Sequence, residues 1–84
     1  MKFKASVKVM LKTAVLDPQG ATLERALKSL GYQNIDFVRV GKLVELVLEE
    51  ESEQAALKAV NAWADQLLAN PNMETFSVKL EPLL

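Results

Sequence analysis

Residues 2–12 read KFKASVKVMLK, and their alternation constrains the fold more than any other stretch. Phe3, Ala5, Val7, Val9 and Leu11 fall on one side of an extended chain. Lys2, Lys4, Ser6, Lys8, Met10 and Lys12 fall on the other. A period of two predicts a half-buried strand with a basic outer face. Such a strand needs neighbours on its edges and a cover on its apolar side. The chain has 84 residues to supply both, which predicts one domain over residues 1–84.

The cover comes first. Asp17 can cap a helix and Pro18 suits its first position, where the missing N–H costs nothing. Leu23, Ala26, Leu27 and Leu30 then form an apolar stripe, and Glu24 and Lys28 an i,i+4 pair on the exposed side. Gly31 suits the left-handed residue that closes a helix. The spacing therefore predicts a helix over about 18–30. A second helix follows Ser52, a good N-cap, with Glu49, Glu50, Glu51 and Glu53 gathered at its positive end. Ala56, Val60, Trp63, Ala64 and Leu67 mark its inner face, widened by Leu57 and Leu68. Trp63 on this stripe is expected in the core. Asn70-Pro71 ends the helix.

The neighbours are the remaining extended runs. IDFVRVGKLVELVLE, residues 35–49, is rich in β-branched residues and broken by Gly41-Lys42. It predicts two strands and a tight reversal. A two-residue type II′ turn would pair Val40 with Leu43 and set Arg39 beside Val44 and Leu46. A bulge at Gly41 would instead align Val38 and Val40 with Val44 and Leu46, burying no charge. The last strand is METFSVKL, with Phe76, Val78 and Leu80 on one side and Thr75, Ser77 and Lys79 on the other. The order β-α-β-β-α-β predicts an α+β, ferredoxin-like domain: a four-stranded antiparallel sheet with both helices on one face.

Composition removes most chemistry. The chain has no cysteine and no histidine, so disulfides, thiolate metal sites and the usual neutral-pH base are absent. The net charge of −1 argues against phosphate-driven nucleic-acid binding. The strands also lack the aromatic pairs on which RNA-recognition domains stack bases. No apolar run is long enough to span a bilayer, and the chain opens on a strand pattern without a signal-peptide core. A cytoplasmic protein is expected.

DPQG, residues 17–20, could cradle an anion at a helix start. The capping roles of Asp17 and Pro18 already explain it, and Asp17 would repel an anion. Arg39 and Lys42 flank Gly41 and could bind a phosphate or a partner's carboxylate, or simply form a solvated tip. Asn70, Asn72 and Glu74 around Pro71 read as turn residues that a partner could also contact. Asp17, Asp36 and Asp65 make no recognisable acid–base pair. The sheet face away from the helices should carry Met10, Leu43, Val47 and Phe37 among its lysines. Helices on one side leave that face wet, which predicts subunit association, most economically a two-fold dimer.

VLDPQG, LKSLGY, VRVGK and LLANPNME occur in this order, and together the chain resembles the PurS family over its whole length. PurS is the small subunit of phosphoribosylformylglycinamidine (FGAM) synthase. The resemblance implies a non-catalytic subunit, acting as a dimer or tetramer, that bridges the ATP-dependent synthetase subunit and the glutaminase subunit in de novo purine biosynthesis. It also implies support for ammonia transfer, with ATP and Mg used by the large subunit and no cofactor held by this chain. Asn72 stands where the family pattern has a small apolar residue. The partner-contact candidates are Arg39, Lys42, Asn70, Asn72 and Glu74. The competing reading is an ACT-like regulatory module, which shares the strand order and binds small molecules near the first loop. A free-standing enzyme would need a site that these residues do not assemble.

Overall fold

The structure, a computed structural model, describes residues 1–83. The alternating N-terminal run forms β1, Lys2–Leu11, at the centre of a three-stranded antiparallel sheet. Strand β2, Gly41–Glu49, pairs along one edge with Met10 opposite Gly41 and Lys2 opposite Glu49. Strand β3, Glu74–Leu83, pairs along the other with Leu11 opposite Glu74 and Lys2 opposite Leu83. The register puts Phe3, Ala5, Val7 and Val9 in one plane with Val44, Leu46 and Leu48 on one side and Phe76, Val78 and Leu80 on the other.

Helix α2, Glu53–Trp63, covers this apolar plane. Ser52 caps it, its side-chain oxygen accepting from the Ala55 N–H at 3.1 Å. Ala56, Val60 and Ala64 recur at intervals of four and are fully buried. Small side chains there let the helix approach the strands closely. A π-helical turn over Ala64–Leu68 follows, closed by the Ala69 N–H donating to the Ala64 carbonyl at 2.9 Å. The wider turn advances the inward direction by one residue, so Ala69 joins the core. Leu67, expected on the inner face, points outward at 83% exposure. Trp63, expected in the core, is likewise 41% exposed. The Leu67 expectation assumed a regular 3.6-residue helix throughout, whereas Trp63 lies in the regular part and flanks the buried Ala56–Val60–Ala64 stripe.

Helix α1, Pro18–Ser29, has the expected ends. Gly31 takes φ +101°, the only positive φ among the described residues. The Tyr32 N–H donates to the Leu27 carbonyl and the Gly31 N–H to that of Lys28, a Schellman closure. Its position differs from expectation. No α1 side chain belongs to the core, and the helix makes at most marginal contact with the sheet. Leu30, on its apolar stripe, is 74% exposed. The molecule is accordingly 51 Å long and 14 Å thin. That length is about what the ten residues of β1 (~33 Å) and the twelve of α1 (~18 Å) span end to end. With the returning residues 32–40, α1 forms an arm running beyond the sheet.

The four-stranded sheet is therefore corrected to three strands, with one helix on its face instead of two. Residues 35–40 pair with no strand among the described residues. Neither hairpin register forms, because a reversal at Gly41-Lys42 would need the positive φ that Gly41 lacks. Gly41 is instead extended and paired with Met10.

Candidate functional site

The junction between sheet and arm is where most of the residues singled out in the sequence converge. Asp17 lies at its centre. One carboxylate oxygen accepts from the Gly20 N–H at 2.9 Å, which starts α1. The other accepts from the Val40 N–H at 2.8 Å, which fixes the returning segment just before β2. These two bonds hold the Asp17 carboxyl below its ordinary value, with the Arg39 charge adding to them. The helix start thus already has its anion, the Asp17 side chain itself. Gly20 is buried where the arm doubles back, and any side chain on it would strike the Val38 carbonyl.

Arg39 reaches back across the same junction. Its guanidinium donates to the Leu11 carbonyl and, at 3.1 Å, to the Lys12 carbonyl. The Lys12 N–H in turn donates to the Met73 carbonyl at 2.8 Å. The end of β1 therefore ties Arg39 to the 70–74 turn. That turn is closed from within. The Glu74 carboxylate accepts from the Asn70 N–H at 2.7 Å, the Asn70 side chain accepts from the Asn72 N–H at 3.0 Å, and the Asn70 carbonyl accepts from the Glu74 N–H at 2.7 Å. Asn70 and Asn72 keep exposed side chains. Lys42 sits in β2 opposite Val9, at the same end and exposed to solvent. Arg39, Lys42, Asn70, Asn72 and Glu74 thus share one end of the sheet, with Arg39 already engaged by backbone carbonyls.

A shallow apolar cleft of about 470 Å³ opens on the arm, lined by Pro18, Gln19, Thr22, Leu23 and Val40. The outer face of the sheet is mixed, as its lysines foretold. Lys4 pairs with Glu45 at 2.9 Å, which raises the Lys4 pKa above its ordinary value. Leu43 and Val47 are exposed on that face beside it. Phe37, expected there too, lies in the arm at 71% exposure. Among the described residues no cluster of three carboxylates could hold a metal ion, and no helix is long and apolar enough to cross a membrane. No buried side-chain polar atom lacks a hydrogen-bond partner among them. The arrangement offers surfaces and fixed turns.

Sequence reading found each of these residues but not their mutual bonds. The Asp17–Val40 and Arg39–Leu11 contacts join positions 23 and 28 residues apart. Capping rules signal only the local Asp17–Gly20 bond.

Comparison with known proteins places the chain among a consistent set. The family profile described as PurS, phosphoribosylformylglycinamidine (FGAM) synthase, matches residues 4–82. The PurS subunit of phosphoribosylformylglycinamidine synthase from Methanocaldococcus jannaschii is 36% identical over 96% of this chain and 98% of its own length. Its crystal structure, described as one of the subunits of formylglycinamide ribonucleotide amidotransferase in the purine biosynthetic pathway, superposes with a TM-score of 0.86 over 98% of this chain and 99% of its own. Thermus thermophilus PurS matches over the whole of both chains with a TM-score of 0.88 and 38% identity. A chain of the PurLQS structure from Thermotoga maritima gives 0.88 at 31% identity, covering 96% of this chain and 99% of that one.

Proposed function

The chain belongs to the PurS family, and from that premise we propose that it is the small, non-catalytic subunit of FGAM synthase in purine biosynthesis. Its place is between the ATP-dependent synthetase subunit and the glutaminase subunit, where it helps hold a protected route for ammonia. ATP and Mg belong to the large subunit. The observation that carries this reading is the end-to-end match, at a TM-score of 0.88, to a chain of the PurLQS structure. A bridging role needs docking surfaces, and the described residues supply these: an exposed apolar arm, a mixed outer face, and a polar junction. We also propose that the chain associates with itself as a dimer, since Leu23, Leu30, Tyr32 and Phe37 stand exposed in the single chain.

The test is co-purification with the synthetase and glutaminase subunits, followed by assay with glutamine and with ammonium. The expected result is a complex whose glutamine-dependent activity needs this chain. Full glutamine-dependent activity without it would overturn the reading.

A further inference from the structure

Charge is divided between the two ends of the sheet. Glu49, Glu50, Glu51 and Glu53 gather where β2 hands over to α2, and Glu81 lies opposite Lys4 towards the same end. Lys12, Arg39 and Lys42 gather at the other end, beside the 70–74 turn. The chain itself explains most of the acidic end, since carboxylates are favoured at the start of a helix. It does not explain the basic end. Asp17 and Glu74, the acids of the junction, are taken by backbone N–H groups. The Arg39 charge reaches Asp17 through space, without a bond between them. Among the described residues none of Lys12, Arg39 and Lys42 joins an ion pair, and the pairs that do form, Lys4–Glu45 and Lys28–Glu24, lie elsewhere.

Arg39 says most about what is missing. A guanidinium carries five N–H donors, and this one bonds only through Nη2, to the Leu11 and Lys12 carbonyls. Both acceptors are neutral. Its Nη1 and Nε make no hydrogen bond among the described residues. The side chain is half-buried and its head is fixed, so a partner would meet it with little rotamer freedom left to lose. A carboxylate on the free donors would add a charge-assisted bond, roughly twice as strong as a neutral one. The turn adds donors beside it. The Asn70 side-chain oxygen is taken by the Asn72 N–H, whereas the Asn72 side chain is exposed and unbonded. The junction therefore presents mainly donors and positive charge.

We propose that this end of the sheet docks exposed carboxylates of a companion subunit, with Arg39 as the fixed receiver and Lys12, Lys42 and the Asn72 amide around it. The partner is a protein segment carrying Asp or Glu, and not a free phosphate. The donors are spread over an open end of the sheet, and the apolar cleft of the arm is lined by none of them. The helix start that would cradle a phosphate is already filled by the Asp17 side chain. A nucleic acid is disfavoured by the net charge of −1. This inference rests on the subunit role proposed above and adds which surface is used and what chemistry it meets.

The test treats the complex of this chain with the synthetase and glutaminase subunits with a water-soluble carbodiimide, which joins lysine amines to carboxylates in direct contact. Peptide mapping should find Lys12 or Lys42 linked to an Asp or Glu of a companion subunit. A complex in which neither lysine links to a companion overturns the proposal but leaves the subunit role standing. Links from these lysines only to a second copy of this chain overturn it too. In a parallel measurement, Lys12→Glu with Lys42→Glu raises the dissociation constant for one companion at least tenfold at low salt and removes most of its salt dependence. Arg39→Gln does the same in direction, and Glu50→Gln with Glu51→Gln, at the acidic end, changes the constant less than twofold. Equal losses from the two ends overturn the proposal. Light scattering checks that each variant keeps the wild-type mass, and should Arg39→Gln lose it, the lysine pair decides, since neither ammonium group makes a bond within the chain among the described residues. Inorganic phosphate at constant ionic strength leaves the melting temperature of the isolated chain unchanged, and an Arg39-dependent rise overturns docking in favour of a small-anion site. If no complex forms, the subunit role falls and this inference falls with it.

Discussion

Replacing Val60 by alanine tests how α2 sits on the sheet. Val60 is fully buried among its core neighbours. The substitution removes two methyl groups, worth about 1.6 kcal/mol of transfer free energy at ~0.8 each. The unfilled space adds to this in a packed core, raising the loss to about 2–3 kcal/mol. The better helix propensity of alanine returns roughly 0.5 kcal/mol. A net loss near 2 kcal/mol is a large share of the ~4–13 kcal/mol expected for a domain of this length. With a urea m-value of about 1–1.5 kcal/mol/M, the midpoint falls by roughly 1.3–2 M. The assay is urea unfolding followed by Trp63 fluorescence at one fixed protein concentration, since self-association shifts apparent stability. Leu67→Ala is the paired control. The π-helical turn leaves Leu67 outward, so its loss should stay within about 0.5 kcal/mol. If Leu67→Ala costs as much as Val60→Ala, the phase of the helix past Ala64 is wrong and so is the packing built on it.

Asp17→Asn should flatten part of the acid dependence of stability. The folded Asp17 carboxyl is held below its ordinary 3.8 by the Gly20 and Val40 N–H groups. Its contribution is therefore present above that value and disappears as pH falls through the lower folded value. Urea midpoints measured down this acid range should converge for the two proteins, and parallel curves would remove Asp17 from the account. Gly20→Ala should push the Val38 carbonyl away and break the nearby Asp17–Val40 bond. Amide exchange at Val40 should quicken at least tenfold, while that of β1 stays unchanged. Lys42→Glu should weaken assembly with the large subunit and do so more at low salt. Unchanged glutamine-dependent activity in the reconstituted complex would show that this end of the sheet is not the contact.

The junction was partly visible in advance. Asp17 and Pro18 announce a helix start, and the structure adds that the same carboxylate fastens the returning segment at Val40, 23 residues later. In the sequence Arg39 stands out as a charge beside a possible turn at Gly41. It is spent instead on the carbonyls of Leu11 and Lys12, a use that its sequence neighbours do not signal. Asn70 and Glu74 close a turn on each other, which their spacing allowed.

From the sequence alone came the faces: the alternation of β1, the caps at Asp17 and Ser52, the stop at Pro71, and an inventory without histidine or cysteine. Those are local, because side-chain period and capping depend on a few adjacent residues. Tertiary structure alone decided that 35–40 is not a strand of this sheet, that α1 stands off the core, and that the α2 face turns by one residue after Ala64. Periodicity says that a face is apolar. Which surface buries it depends on contacts distant in the chain, or on another chain altogether, and nothing in a local pattern distinguishes the two.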